Sequence, residues 1–309
     1  MDIAIYELTF QTGVHFGDGS LADNPYTFSA DTLFSALYTE ALRVGRDCAA
    51  KLLNAVQTDH LAWSDAMPRM HGTRYLPKPY VQVAGKKEQA GDSSIKKAMK
   101  NMLYVPADLL DEYLHGNLPL ERTDDLESLG KNEIRSATAI RGQDNPLPYG
   151  IGVFSFHEGC GLDIIVSSED QENEAMFENL LSAFSASGIG GKRSSGLGRF
   201  SFQKAEADKK LKNGIRNASD VNMSLSVCLP EENELQMALD GAHYLVRKRS
   251  GFVASEHYSP ELHRKKDLYV FAAGSCFAHR FHGQIADVSN GGAHPVYRYA
   301  KPLWLGVNL

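Results

Sequence analysis

Two stretches of helical period, each fenced by strand-like runs, constrain this chain more than any other feature. Residues 2–10 read DIAIYELTF, a short apolar run of the kind a buried strand carries. A loop with three glycines and a proline follows, QTGVHFGDGSLADNPYTF. A helix is then expected from Ser29 or Asp31, either a suitable N-cap, with Leu33, Phe34, Leu37, Tyr38, Ala41 and Leu42 as its apolar face. Regularity returns at 150–168, where two strand-like runs flank HEGCG and predict a hairpin. Residues 173–187 place Met176, Phe177, Leu180, Leu181 and Phe184 on one helical face, and RFSFQKA leaves the next loop as a strand. With 72–150 set aside, the order is β-α-β-β-α-β, that of ferredoxin-like or RRM-like units, so the fold class is α+β.

Residues 72–150 are dominated by turn residues and charge, and read as an insertion projecting from the core, partly helical near 93–114. Residues 74–100 carry a local charge of +5, and 106–133 a local charge of −6. The polar stretch 207–220 reads as a linker. Val221, Met223, Leu225, Val227 and Leu229 then alternate as in a half-buried strand, and runs near 242–247, 267–273 and 295–307 suggest a second β-rich unit. The expected organisation is a first domain over 1–206, interrupted by 72–150, and a second over 221–309.

The composition, 43% hydrophobic and 23% charged, is that of a globular protein, and no window approaches the apolar length of a membrane span. The opening residues lack a basic n-region, so no secretory signal is expected. Cys48, Cys160, Cys228 and Cys276 lie far apart, which fits reduced thiols in the cytoplasm. His257, His263, His279, His282 and His294 have no accompanying ligand spacing, so neither metal nor other cofactor is expected. The net charge of −6 argues against a general polyanion binder and leaves room for a local basic track.

The most specific stretch is GIGGKRSSGLGRF, 188–200. Gly188, Gly190, Gly191, Gly196 and Gly198 enclose Lys192, Arg193, Ser194 and Ser195. It is no Walker loop, since Lys192 is followed by arginine, and no Rossmann fingerprint, because it joins a helix end to a strand rather than the reverse. The helix dipole opposes an anion here, so cations and free N–H groups must outweigh it. Bare backbone, hydroxyls and cations together suit a sugar-phosphate chain. RKRSGFVAS (247–255) repeats this chemistry, with Lys248 and Arg249 for phosphate and Phe252 for stacking on a base. Arg135 and Arg141 flank a mildly apolar stretch that could line the same track.

These residues carry a family resemblance. A helix ending in a G-x-G-G-K-R-S-x-G-x-G loop resembles the signature of the RAMP superfamily of CRISPR RNA-binding proteins. FSADTLFSALYTEAL (28–42), preceded by HFGDG, resembles its first helix. HPVYRYAKPLWLG (294–306) resembles the C-terminal motif of one Cas5-like subgroup, the fourth Csm subunits of type III-A effector complexes. The resemblance implies two RRM-like (RAMP) units, the first bearing a thumb within 72–150. It implies a non-catalytic subunit that holds the 5′ handle of the crRNA. The implied partners are the large polymerase-like Cas subunit and the adjacent RAMP backbone subunit, with target RNA passing near the thumb. It further implies that His15, Arg298 and Lys301 approach RNA. The competing expectation is a metal-independent CRISPR-transcript endoribonuclease using His15, with Tyr26 and Lys192 nearby. Backbone subunits of such complexes cut target RNA with an aspartate; here Asp31 opens a helix, and capping accounts for it.

Overall fold

The computed structural model describes the chain apart from residues 18–20, 23, 82–99, 120–121, 123–124, 139–147, 254, 256, 260 and 309. The opening run is strand β1 (Asp2–Phe10), followed by helices α1 (Ala30–Val44) and α2 (Arg46–Gln57). Short strands β2 (Leu61–Trp63), β3 (Met67–Met70), β4 (Thr73–Pro77) and β5 (Tyr104–Pro106) lead to helix α3 (Leu110–Leu114). A long hairpin, β6 (Gly130–Thr138) and β7 (Pro148–Phe156), precedes β8 (Cys160–Ser168), α4 (Gln171–Ser185) and β9 (Phe200–Glu206).

The central sheet runs β5-β4-β3-β8-β1-β9, with β2 also on β8, and its ladders are antiparallel. Successive side chains of a strand point to opposite faces. Ala4, Tyr6 and Leu8 therefore meet Leu33, Phe34 and Leu37 of α1 and Phe177, Leu181 and Phe184 of α4. Ile3 and Ile5 enter a second core on the other face, with Leu76, Val105, Leu110, Ile215 and Leu305. Burial on both faces explains why β1 and β8 are nearly continuous apolar runs.

Both amphipathic stripes form the expected helices, except that Leu42 is exposed, beyond the edge of the buried stripe of α1. The segment 72–150 is not wholly an insertion, because β4 and β5 extend the edge of the central sheet. What stands off the sheet is the β6–β7 hairpin, paired from Gly130 with Phe156 to Thr138 with Pro148. The expected hairpin at HEGCG has the turn but not the ladder. Cys160 N–H donates to His157 O, yet β7 pairs with β6 and β8 does not. One edge of β8 is filled by β1 and the other by β2 and β3, so β7 has no edge to join.

The expected linker contains a helix, α5 (Lys209–Arg216), capped by Asp208, whose carboxylate accepts from Leu211 N–H at 2.8 Å. Beyond it lie β10 (Val221–Ser224), α6 (Leu235–Leu239), β11 (Val246–Arg249), β12 (Leu268–Phe271), β13 (Cys276–Phe277), β14 (Gln284–Asp287), β15 (Tyr297–Ala300) and β16 (Trp304–Val307). These strands make three small sheets, β13-β10-β16, β11-β12 and β14-β15. The alternation after Val221 does not mark a half-buried strand: Asn222, Ser224 and Ser226 are as buried as Met223, Leu225 and Val227. The C-terminal half shares its core with the first, since Val227, Val270 and Tyr299 pack with the α1 face and Tyr299 stacks on Trp63 at 4.8 Å between ring centres.

Candidate nucleic-acid interface

The turn between α4 and β9 has a packed base and an open rim. At the base, Ile189 N–H donates to Gly198 O at 3.0 Å, and Gly198 N–H donates to Gly13 O at 2.9 Å. A Cβ on Gly198 would lie 2.1 Å from Ile189 O, and one on Gly188 would lie 2.5 Å from Leu197 O. Both have positive φ. Gly190 and Gly191 press on the preceding loop: a Cβ would meet His15 O at 2.6 Å from the first and His15 Cδ2 at 2.8 Å from the second. Four of the five glycines are thus bare so that this chain can cross itself closely, a role the sequence reading did not give them; of these, Gly188 and Gly198 are buried and Gly190 and Gly191 half-buried. Only Gly196, with φ of 84° and open space above it, belongs to the outward side.

This division predicts unequal costs. Gly198→Ala is expected to destabilise by about 2–4 kcal/mol, combining left-handed strain with overpacking. Gly196→Ala should cost only the strain, about 1–2 kcal/mol. Urea midpoints measure both, and equal losses would contradict the packing account.

The rim is one turn of 3₁₀ helix, Arg193–Ser195, entered through Lys192 in the left-handed region at φ of 57°. Arg193, Ser194 and Ser195 are exposed, and no side chain caps the turn. Lys192 lies over the Tyr149 ring, 5.0 Å from its centre, and donates to Tyr149 Oη at 3.1 Å. Among the described residues no carboxylate pairs with Lys192, Arg193 or Arg199. The rim thus presents uncompensated positive charge and hydroxyl donors on a rigid base, as a phosphodiester requires.

His15 is no free reactive group. It is 6% exposed, its Nδ1 lies 2.7 Å from Gly152 O, and it forms the bed on which Gly190 and Gly191 rest. That placement gives His15 a packing role beneath the turn, with Nδ1 engaged by Gly152 O and little of the ring exposed. The role expected of Asp31 is corrected. Ser29 is the N-cap of α1, accepting from Thr32 N–H. Asp31 is 1% exposed, pairs with Arg249 and Arg298, and accepts from Tyr299 N–H at 3.1 Å.

The other expected contacts divide by burial. Arg298 and Lys301 are buried, the first on Asp31 and Ser250 O, the second on Asp59 at 2.6 Å and Gln57 O at 2.9 Å. Arg298 Nη1 and Nη2 and Lys301 Nζ are engaged inside the fold and Arg298 Nε is buried, so both side chains are turned away from the surface, against the expectation of RNA contact. Phe252 is 55% exposed, beside Lys248, which pairs with Asp267, and half-buried Arg249. Arg135 is exposed on β6, 3.7 Å from Glu133, while Arg141 lies outside the described residues. The structure brings Lys192 to Tyr149, a residue the sequence reasoning missed; only the β6–β7 pairing, with no local signal, places that ring there.

The family model for the CRISPR Csm4 C-terminal domain matches residues 217–307. The chain is 38% identical over 295 residues to the CRISPR system Cms protein Csm4 of Mycobacterium tuberculosis H37Rv, covering 95% of this chain and 94% of that one. It is 36% identical to the protein of the same name from Streptococcus thermophilus, over 98% of both. Among solved structures it is similar to a Csm3–Csm4 subcomplex of the type III-A CRISPR–Cas interference complex (TM-score 0.69, 17% identity, all of both chains). It is also similar to a Csm1–Csm4 cassette with AMPPNP (TM-score 0.64, 17% identity, 99% and 98% of the chains).

Proposed function

This chain belongs to the Csm4 family of type III CRISPR–Cas subunits, and from that premise we propose that it is a non-catalytic RNA-binding subunit of a type III-A effector, holding the 5′ handle of the crRNA in the cytoplasm. The observation that carries the reading is the rim Lys192–Gly196, which pairs with no carboxylate among the described residues and is braced from beneath by His15. The sheet order β9-β1-β8-β3 supports a ferredoxin-like first unit, with the small C-terminal ladders as the second. The burial of His15 supports binding over cleavage. Relatives solved with Csm1 and with Csm3 support a place between a large subunit and a backbone subunit. The β6–β7 hairpin is the candidate thumb beside target RNA, with Ile134 71% exposed and Arg135 next to it.

The assembly purified from its host should contain RNA with one uniform 5′ end attributable to the repeat. An intact assembly without nucleic acid would contradict the reading. Cleavage of repeat RNA in EDTA by the purified chain, abolished in His15→Ala, would overturn the non-catalytic assignment.

A further inference from the structure

The ladder β11–β12 shows aromatic rings and cations side by side on its surface. Its register sets Lys248 opposite Tyr269 and Val246 opposite Phe271. Residues directly opposite on an antiparallel pair share a face, with Cβ atoms about 5 Å apart. The pairing continues past the end of β11, where Phe252 bridges to Arg264 and Lys265 N–H donates to Gly251 O at 2.9 Å. Asp267 ties the two parts together, taking Lys248 Nζ at 2.8 Å and Arg264 Nη2 at 3.5 Å. At the other end Tyr244 packs on Phe271, their ring centres 4.6 Å apart. Tyr244, Tyr269 with Lys248, and Phe252 with Arg264 therefore follow one another along the ladder.

The three rings face outward: Tyr244 is 44% exposed, Phe252 55% and Tyr269 57%. Among the described residues neither tyrosine hydroxyl has a hydrogen-bond partner. Large rings left in water in one row, on a chain that buries most of its other aromatics, mark a contact surface. Charge decides the kind of contact. The exposed residues of 246–252 and 264–269 include four cations, Arg247, Lys248, Arg264 and Lys266, against one carboxylate, Asp267, on a chain of net charge −6. Charged residues are depleted at the centre of protein–protein interfaces, whereas here each of Tyr269 and Phe252 has a cation as its cross-strand neighbour. Rings for bases with cations for the intervening phosphates is the pattern of a single-stranded nucleic acid site. The pairs to Asp267 are surface pairs, weak enough to be exchanged for a phosphate.

We propose that the β11–β12 ladder is a stacking platform for single-stranded RNA, with Tyr269 and Phe252 beneath bases and Lys248 and Arg264 on phosphates. The inference rests on the RNA-binding reading above and adds a second surface to the glycine turn. This surface tolerates any sequence, since every base has a π face.

The test compares the full-length wild type with Tyr269→Ala and Tyr269→Phe in binding handle RNA and oligo(A). Tyr269 is more than half exposed, so both variants should unfold at the wild-type midpoint. Tyr269→Ala should weaken both RNAs by at least about fivefold, the low end for one base on a ring, with the slope of log K against log salt unchanged. Tyr269→Phe keeps the ring and should restore the affinity. Equal affinities for the wild type and Tyr269→Ala overturn the platform and leave the glycine-turn reading standing. A phenylalanine variant as weak as the alanine one overturns stacking. Loss of the large subunit from the host-purified Tyr269→Ala assembly, with RNA affinity unchanged, overturns the RNA assignment and gives the face to a protein partner. A wild type that binds neither RNA defeats the function reading itself, and the platform with it.

Discussion

Replacing Asp31 by alanine is expected to cost about 3–5 kcal/mol of stability, the loss characteristic of breaking a buried ion pair from one side. The carboxylate is buried, and its partners are two guanidiniums and the N–H of Tyr299. Removing it leaves Arg298 charged, buried and stripped of its anion, with Arg249 still beside it. It also unties α1 from β11 and β15, since Arg249 ends the first strand and Arg298 and Tyr299 lie on the second. Were Asp31 only a helix cap, the cost would be about 1 kcal/mol. Urea unfolding separates the two values. Adding Arg249→Ala should recover part of the loss, because one orphaned cation is then removed.

The double variant Lys192→Ala, Arg193→Ala is expected to keep its fold and lose RNA. Arg193 is exposed with no carboxylate partner among the described residues, and Lys192 gives up only a surface contact with Tyr149, so unfolding midpoints should move by no more than about 1 kcal/mol. For a single strand, two lost phosphate contacts correspond to roughly 25-fold weaker binding at 0.1 M salt. A variant that loses affinity without losing stability marks a surface used for contact. A variant that loses both marks a structural turn.

Strands β1, β8 and β9 and the two helices packed on them were legible in the sequence because their signals are local. The apolar run of β1, the stripes of α1 and α4, and the Ser29 cap lie within a few residues of what they specify. What failed was pairing and burial at long range. HEGCG specifies a turn, but the edges of β8 were taken by β1, β2 and β3, and nothing near Cys160 announces that. The helix α5 was hidden in a polar segment because its inward face consists of little more than Leu211 and Ile215.

The candidate site shows the same divide. The glycines carry a packing role the sequence did not announce, because a bare backbone suits a neighbouring strand of the same protein as well as a ligand. Arg298 and Lys301 looked like surface cations until Asp31 and Asp59 folded onto them from about 270 and 240 residues away in sequence. Arg193 needed no such context, since it sits at the apex of a turn whose base is already filled.

The direct measure of the central claim is the salt dependence of handle-RNA binding for the wild type and for the Lys192→Ala, Arg193→Ala variant, over a range that keeps both folded. If RNA lies on the rim of the glycine turn, the plot of log K against log salt becomes shallower by about 1.4, two phosphates of a single strand. Parallel lines for the two proteins would mean that the strand passes elsewhere.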